Sequence, residues 1–285
     1  LQIRPQFKIN IDREWEAKLE GRYMIPYVSP WRFSISVLPF LWHEEQEGFT
    51  RQTRGNEFRL SKLFTENIQF SIANQYKYVD LRLKPGETLS DTIRGVTNSM
   101  RFQLMFDYRK EFFNPHKGYY LLPFIEYAGG FFGGANHFVR LETEVRLFIP
   151  VYNHTIAQRF RIGTIRPTDG CALYEKYFLG GQYSLRGYSD KSIGPDSIAD
   201  EKYGEIMANY NLELRISLPL DFGLVGFFDV GYVDNEINLI RSDYFKASSG
   251  VGLRYYSPIG PVRMDIGFGL TDPNRELYLG IYHIF

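Results

Sequence analysis

The sequence predicts an all-β chain, a transmembrane antiparallel β-barrel, and three observations carry that reading. Apolar and polar side chains alternate with period two in segment after segment, the repeat of a strand whose two faces meet different solvents. Aromatic residues make up 17% of the 285 residues beside 26 glycines, yet mean hydropathy is −0.29. No run of roughly 18 apolar residues is present, so the chain holds no conventional membrane-spanning helix. A barrel strand divides its side chains between lipid and a wet lumen, which produces this mixture of aromatic richness and modest hydropathy.

The alternation is plainest at residues 139–149. Val139, Leu141, Thr143, Val145, Leu147 and Ile149 share one face, and Arg140, Glu142, Glu144 and Arg146 the other. A row of four charged side chains does not fit an apolar core, because an unpaired buried charge costs several kcal/mol. A watered or salt-bridged lumen accommodates it. Phe102, Leu104, Phe106 and Tyr108 alternate in the same way with Arg101, Gln103, Asp107 and Arg109, and Leu212, Leu214, Ile216 and Leu218 with Asn211, Glu213, Arg215 and Ser217. Val262, Met264, Ile266, Phe268 and Leu270 alternate with Arg263, Asp265, Gly267 and Gly269. Upstream, Ala17, Leu19, Tyr23 and Ile25 oppose Glu16, Lys18, Glu20 and Arg22, and Ile68, Phe70, Ile72 and Tyr76 oppose Gln69, Ser71, Gln75 and Lys77.

With their turn signals these segments give about 14 strands, long enough to cross a bilayer at the usual tilt. They are expected at 2–10, 13–28, 31–46, 49–63, 66–82, 98–112, 117–132, 137–151, 155–168, 204–219, 221–233, 246–258, 260–270 and 276–285. Tight connections such as Ser257–Pro261 alternate with longer ones, the asymmetry of periplasmic turns and outer loops. One connection, 169–203, is Gly-rich and far longer than a hairpin needs, and connections of that length are commonly functional. The whole chain, 1–285, reads as a single transmembrane β-barrel domain.

Composition narrows function. Lys and Arg together number 33, equal to Asp and Glu, so no net charge draws the chain toward nucleic acid. Cys171 is the lone cysteine, which excludes an internal disulfide and a cysteine-based metal cluster. His43, His116, His137, His154 and His283 lack the short spacings of a metal site and read as solvated residues. No nucleophile elbow or P-loop lysine appears. The chain is therefore read as neither an enzyme nor a cofactor or metal carrier. The opening LQIRPQFKIN lacks the pattern of a signal peptide and is read as a mature or excised start.

Residues 179–195, LGGQYSLRGYSDKSIGP, resemble the long inward-folded loop of the outer-membrane assembly-factor superfamily, the BamA/TamA-type or bacterial surface antigen family. Four further segments follow in the family's order: DYRKEFFNPHKGYY at 107–120, FFDVG at 227–231, SSGVGLRYYSPIGPVRMDIGFGL at 248–270 and the C-terminal GIYHIF. Together they cover residues 98–285 and look like the last nine strands of a 16-stranded family barrel with a long loop folded into the lumen. The first 97 residues hold about five strands where that pattern has seven. The POTRA modules that usually precede the barrel are absent from this chain.

The resemblance implies roles for particular residues. Arg186, Gly187 and Tyr188 match the loop motif, and Asp229 and Glu213 match the acidic barrel-wall partners of its arginine. Tyr278, Gly280, His283 and Phe285 match the C-terminal signal by which barrels are recognised during assembly, with Phe285 expected in the interfacial aromatic girdle. The implied function is insertion or translocation of other proteins through a weakly paired seam between the first and last strands. Implied partners are outer-membrane lipids and unfolded outer-membrane or secreted clients, with periplasmic or lipoprotein partners and homo-oligomerisation left open. The alternatives are an anchoring or translocation barrel of a patatin-like or POTRA-less member and a passive pore.

Overall fold

A computed structural model describes residues 2–9, 15–26, 32–46, 48–84, 92–112, 114–199, 201–236, 245–257, 260–281 and 283–285. Among these residues are sixteen strands: β1 Gln2–Ile9, β2 Trp15–Ile25, β3 Phe33–Glu45, β4 Phe49–Thr65, β5 Ile68–Leu83, β6 Thr92–Asp107, β7 Gly118–Ala128, β8 Phe138–Val151, β9 His154–Pro167, β10 Asp196–Ile198, β11 Glu201–Tyr203, β12 Ile206–Ser217, β13 Phe222–Asp234, β14 Phe245–Ser257, β15 Gly260–Gly269 and β16 Arg275–Ile281. Fourteen of them form one sheet in chain order, and β10 and β11 pair as a separate small hairpin. Neighbours are antiparallel wherever their register is defined, as alternating hairpins require.

The chain divides into two compact units. The first comprises residues 1–104, 124–141 and 166–172. Its strands β1 to β5 run as a meander, and β4 and β5 pair from Phe49↔Leu83 to Thr65↔Ile68 with a bulge between Leu63 and Thr65. The buried face of this unit combines ion pairs with apolar side chains such as Val79, Leu81 and Phe138. Glu126, 2% exposed, accepts from Ser99 Oγ at 2.7 Å and from Arg101 and Arg140 at 3.0 Å each. Arg140 therefore lies on the polar face, while Leu141 beside it is exposed on the other.

The second unit comprises residues 105–123, 142–165 and 173–285. Its sheet order is β9-β12-β13-β14-β15-β16, and period two decides which side chains are buried. On β12, Asn209, Asn211, Glu213 and Arg215 are buried while Leu214 is exposed; on β15, Arg263 and Asp265 are buried while Val262, Met264, Ile266 and Phe268 are exposed. An exposed apolar face of this extent is unfavourable in water and favourable in lipid. The interior of the unit is not a sheet-on-sheet core: it is a polar strand face covered by the long connection between β9 and β12.

Several expected boundaries shift. The segment expected at 98–112 begins at Thr92 and ends at Asp107, and the one expected at 117–132 ends at Ala128 before a 3-10 turn over Gly130–Phe132. Gly129 and Gly130 take positive φ there, which stops the extended conformation. The strand expected to run to Phe285 stops at Ile281, and Phe285 is not in an interfacial girdle. It is 5% exposed and packs with Phe148, Ala157 and Ile284. The Arg215 guanidinium donates to its carbonyl at 3.2 Å. Terminal carbonyls that leave a ladder need donors, and the arginines of the polar face supply them. His283, read as solvated, is half-buried and its Nε2 lies 3.0 Å from Asn114 Oδ1. The strand ends expected at residues 10, 13, 28, 31 and 258, and the turn residues Pro258 and Ile259, lie outside the described residues.

An Ile266→Arg substitution places a guanidinium in the middle of the exposed apolar face. It is expected to lower stability in phospholipid bilayers by about 2–4 kcal/mol. Urea titration of the bilayer-inserted protein reads this, and an unchanged midpoint contradicts a lipid-facing β15.

Candidate functional site

The connection between β9 and β12 folds back on itself because its sequence supplies the needed turns. Gly180, Gly181 and Gly187 hold φ of 108°, 84° and 96°, values that residues with a Cβ rarely adopt. Ser184 braces the fold: its Oγ accepts from Gly180 N at 3.0 Å and donates to Gly180 O at 2.6 Å. Gly181 N donates to Tyr188 O at 2.9 Å, which closes a small hairpin with Arg186 at its turn. At the base, Lys176 Nζ bridges Asp196 and Glu205 at 2.9 and 3.0 Å.

The strands make room for this hairpin. A Cβ on Gly187 would lie 2.9 Å from the Phe268 backbone, and one on Gly267 would lie 2.5 Å from Gly187 N. Loop and β15 therefore approach backbone to backbone, a contact that two facing glycines permit. Leu179 fills the space beside Gly231, where a Cβ would come within 2.7 Å of it. Leu179 and Leu185 are fully buried.

Arg186 is fully buried, and every terminal nitrogen of its guanidinium has a carboxylate. Nε and Nη2 donate to Asp229 Oδ2 and Oδ1 at 2.8 and 2.9 Å, a bidentate fork, and Nη1 donates to Glu213 Oε1 at 2.7 Å. Its backbone N–H adds a third contact to Asp229 at 3.2 Å. The guanidinium carbon sits 3.5 Å from the centre of the Phe227 ring, a cation–π contact shielded from water. Burial opposes its charge, but the Asp229 carboxylate outweighs that and holds the arginine above its ordinary pKa.

Three further residues, Asn211, Asp265 and Tyr278, complete the site. Asn211 Nδ2 donates to Asp229 Oδ1 at 2.8 Å and to Ser184 O at 2.6 Å, so one amide joins the loop to the carboxylate. Asp265 lies 3.8 Å from Arg186 Nη1 and takes Arg254 and Arg263 at 2.5 and 2.9 Å. Tyr278 of β16 accepts from Gly187 N at 3.2 Å and donates to Tyr188 O at 2.8 Å, while the Tyr188 hydroxyl reaches Ala247 O at 3.2 Å. Tyr278 thus clasps the loop tip from the terminal strand. Gly280, two residues on, lies against the Arg263 guanidinium. His283 and Phe285 sit apart from the Arg186 cluster, on Asn114 and in the Phe148 group.

The structure brings Arg186, Gly187, Tyr188, Asp229, Glu213 and Tyr278 into one constellation. Residues that the sequence reading did not single out are Asn211, Phe227, Arg254, Arg263, Asp265 and Gly267. Alternation had already placed Asn211, Arg263, Asp265 and Gly267 on the polar faces of their strands. Their partners depend on cross-strand register, which a single strand's pattern does not contain.

Residues 5–283 match the model of the Omp85 superfamily domain. The chain belongs to the Omp85 superfamily. It is 32% identical over 166 residues to the outer membrane protein assembly factor BamA of Nitratidesulfovibrio vulgaris, covering 55% of this chain and 21% of that protein. It is 25% identical over 239 residues to a SAM50-like protein of Schizosaccharomyces pombe, covering 76% of this chain and 48% of that protein. The chain thus spans about a fifth to a half of the length of these relatives. Among solved structures, BamA of Haemophilus ducreyi lacking POTRA domains 1–3 superposes with a TM-score of 0.78 at 19% identity, covering 94% of this chain and 63% of that one. The fold is that of the BamA β-barrel, and the expected fold class stands.

Replacing Arg186 by Ala leaves Asp229 and Glu213 buried without their shared cation. The expected loss is about 3–5 kcal/mol, and Arg186→Lys recovers only part because an ammonium lacks the planar fork. Denaturant titration of the three proteins in one detergent reads the order; equal midpoints for wild type and Arg186→Ala contradict a structural role for the ion cluster.

Proposed function

We propose that this Omp85 chain, acting as a single barrel domain over residues 1–285, is the membrane part of a machine that inserts or translocates other proteins at the bacterial outer membrane. Support comes first from the superfamily match over residues 5–283. The observation that carries the mechanism is the loop hairpin held by Arg186 against β12, β13 and β15 and clasped by Tyr278 of β16. A passive pore gains nothing from such a plug, because loop residues cover the polar face along which solutes would pass. A machine that handles polypeptide gains a fixed polar floor while its terminal strand exchanges partners.

In this reading Arg186, Gly187 and Tyr188 position the loop, Asp229 and Glu213 hold it, and Tyr278 couples it to the terminal strand. The role is mechanical, with no catalytic group, cofactor or metal assigned. Client strands add to the edge of a weakly paired seam between β1 and β16, where main-chain groups offer a template. Lipid cannot satisfy freed backbone groups, so opening is matched by an incoming strand. The segment Tyr278, Gly280, His283 and Phe285 keeps its proposed part as the signal for the barrel's own assembly. Outer-membrane lipids and unfolded outer-membrane or secreted proteins are the proposed partners.

The test is insertion of an unfolded barrel client by the purified protein in liposomes. Covalent cross-linking of β1 to β16 is expected to abolish insertion while leaving the barrel folded, and Arg186→Ala to reduce it at least several-fold. Full insertion by the cross-linked, folded protein contradicts the seam mechanism.

A further inference from the structure

Beside the loop cluster runs a second row of buried charge that the proposed function does not use. Arg254 of β14 and Arg263 of β15 are direct cross-strand partners, 0% and 1% exposed. Like charges placed opposite each other in a sheet repel. Arg254 also pairs with Gly223 of β13, and Arg263 with Gly280 of β16, so neither neighbour brings a carboxylate to that level. Arg215 of β12, 3% exposed, stands at the same end of the sheet, its register partner being Val225.

The donors of this row are not all met. Across this row and the loop site, the guanidiniums of Arg186, Arg215, Arg254 and Arg263 share the carboxylates of Asp229, Glu213 and Asp265, and Arg215 also takes the main-chain oxygen of Phe285. Arg186 is satisfied in full, so the deficit falls on the other three. Arg215 Nη1, Arg254 Nε and Nη2, and Arg263 Nε are buried with no hydrogen-bond partner among the described residues. Arg254 Nη2 has Glu213 Oε1 at 3.8 Å, beyond hydrogen-bonding reach. Leaving one buried charged donor unsatisfied costs more than leaving a neutral one, and here three side chains do so together. Such groups in a native protein call for a bound ion or water.

We propose that Arg215, Arg254 and Arg263 bind a monatomic anion of the size of chloride, which accepts from their unmet donors. The free donors are spread over three side chains rather than offered as one planar fork. That arrangement suits a spherical anion, which accepts N–H groups from any direction, better than a carboxylate or phosphate, which Arg pairs with bidentately. The His283 ring, 6.2 Å from that of Tyr256, and the inward-turned residues 284–285 lie at the same end, and Arg215 also holds the Phe285 carbonyl. An anion there fixes Arg215 and with it the seat of the chain's last residues.

The full chain in detergent is melted at constant ionic strength with gluconate, chloride, bromide, acetate or phosphate as the anion. Chloride and bromide are expected to raise the Tm by about 2–4 °C over gluconate, the shift for roughly 1 kcal/mol in a chain of this size class. Arg254→Gln is expected to remove the halide response and to melt above wild type in gluconate, because it relieves the Arg254–Arg263 repulsion. A Tm that is the same in gluconate and chloride overturns the site, and an equal rise with acetate and phosphate overturns its halide class. Should Arg254→Gln not fold, wild-type crystals grown in bromide decide the matter. An anomalous peak within reach of the three guanidiniums is expected, and its absence at saturating bromide overturns the proposal.

Discussion

Everything in the second unit is arranged around one buried guanidinium that must not be left without its carboxylates. Arg186 has no route to solvent, so its charge is tolerable only while Asp229 and Glu213 stay in place. Those two residues come from adjacent strands, and Asn211 and Phe227 complete the enclosure from the same strands. The demand is directional: two oxygens of one carboxylate must meet two nitrogens of one plane. A loop anchored this way has one seat, whereas a loop held by apolar contact alone could slide.

The seat also requires closeness. Glycines at 187 and 267 let loop and strand backbones touch, and Gly231 leaves room for Leu179. Side chains there would hold the hairpin away from β15 and draw the Arg186 fork off its carboxylates. Packing and electrostatics therefore depend on each other. The coupling extends to the terminal strand through Tyr278, whose hydroxyl both accepts from and donates to the loop tip. A strand that exchanges partners while its inward tyrosine holds a fixed loop has a pivot, which is the mechanical content of the proposed insertion function.

Much of this was legible in the amino-acid sequence. Alternation assigned Glu213 and Asp265 to polar faces and Leu214 and Ile266 to apolar ones, since a period of two leaves no third option. The match of LGGQYSLRGYSDKSIGP to a family loop singles out Arg186. The end of the chain was less legible. Tyr278, Gly280, His283 and Phe285 fit the spacing of a C-terminal assembly signal, yet the ladder ends at Ile281 and Phe285 packs on Phe148 and Arg215. What decides that turn is the set of arginines on β9 and β12, which a local pattern does not see. The Arg254–Arg263 pairing was hidden for the same reason: each arginine looked ordinary on its own strand, and register alone sets them opposite each other.

Hydrogen exchange of the bilayer-embedded protein, read at the amides of residues 179–194, tests the seated loop most directly. The account predicts that Gly181 and Tyr188, whose N–H groups are bonded within the hairpin, exchange as slowly as amides in the middle of β12 and β13. Exchange of these amides at the rate of a solvated loop, with β12 and β13 still protected, would show that the Arg186 cluster does not hold the loop in place.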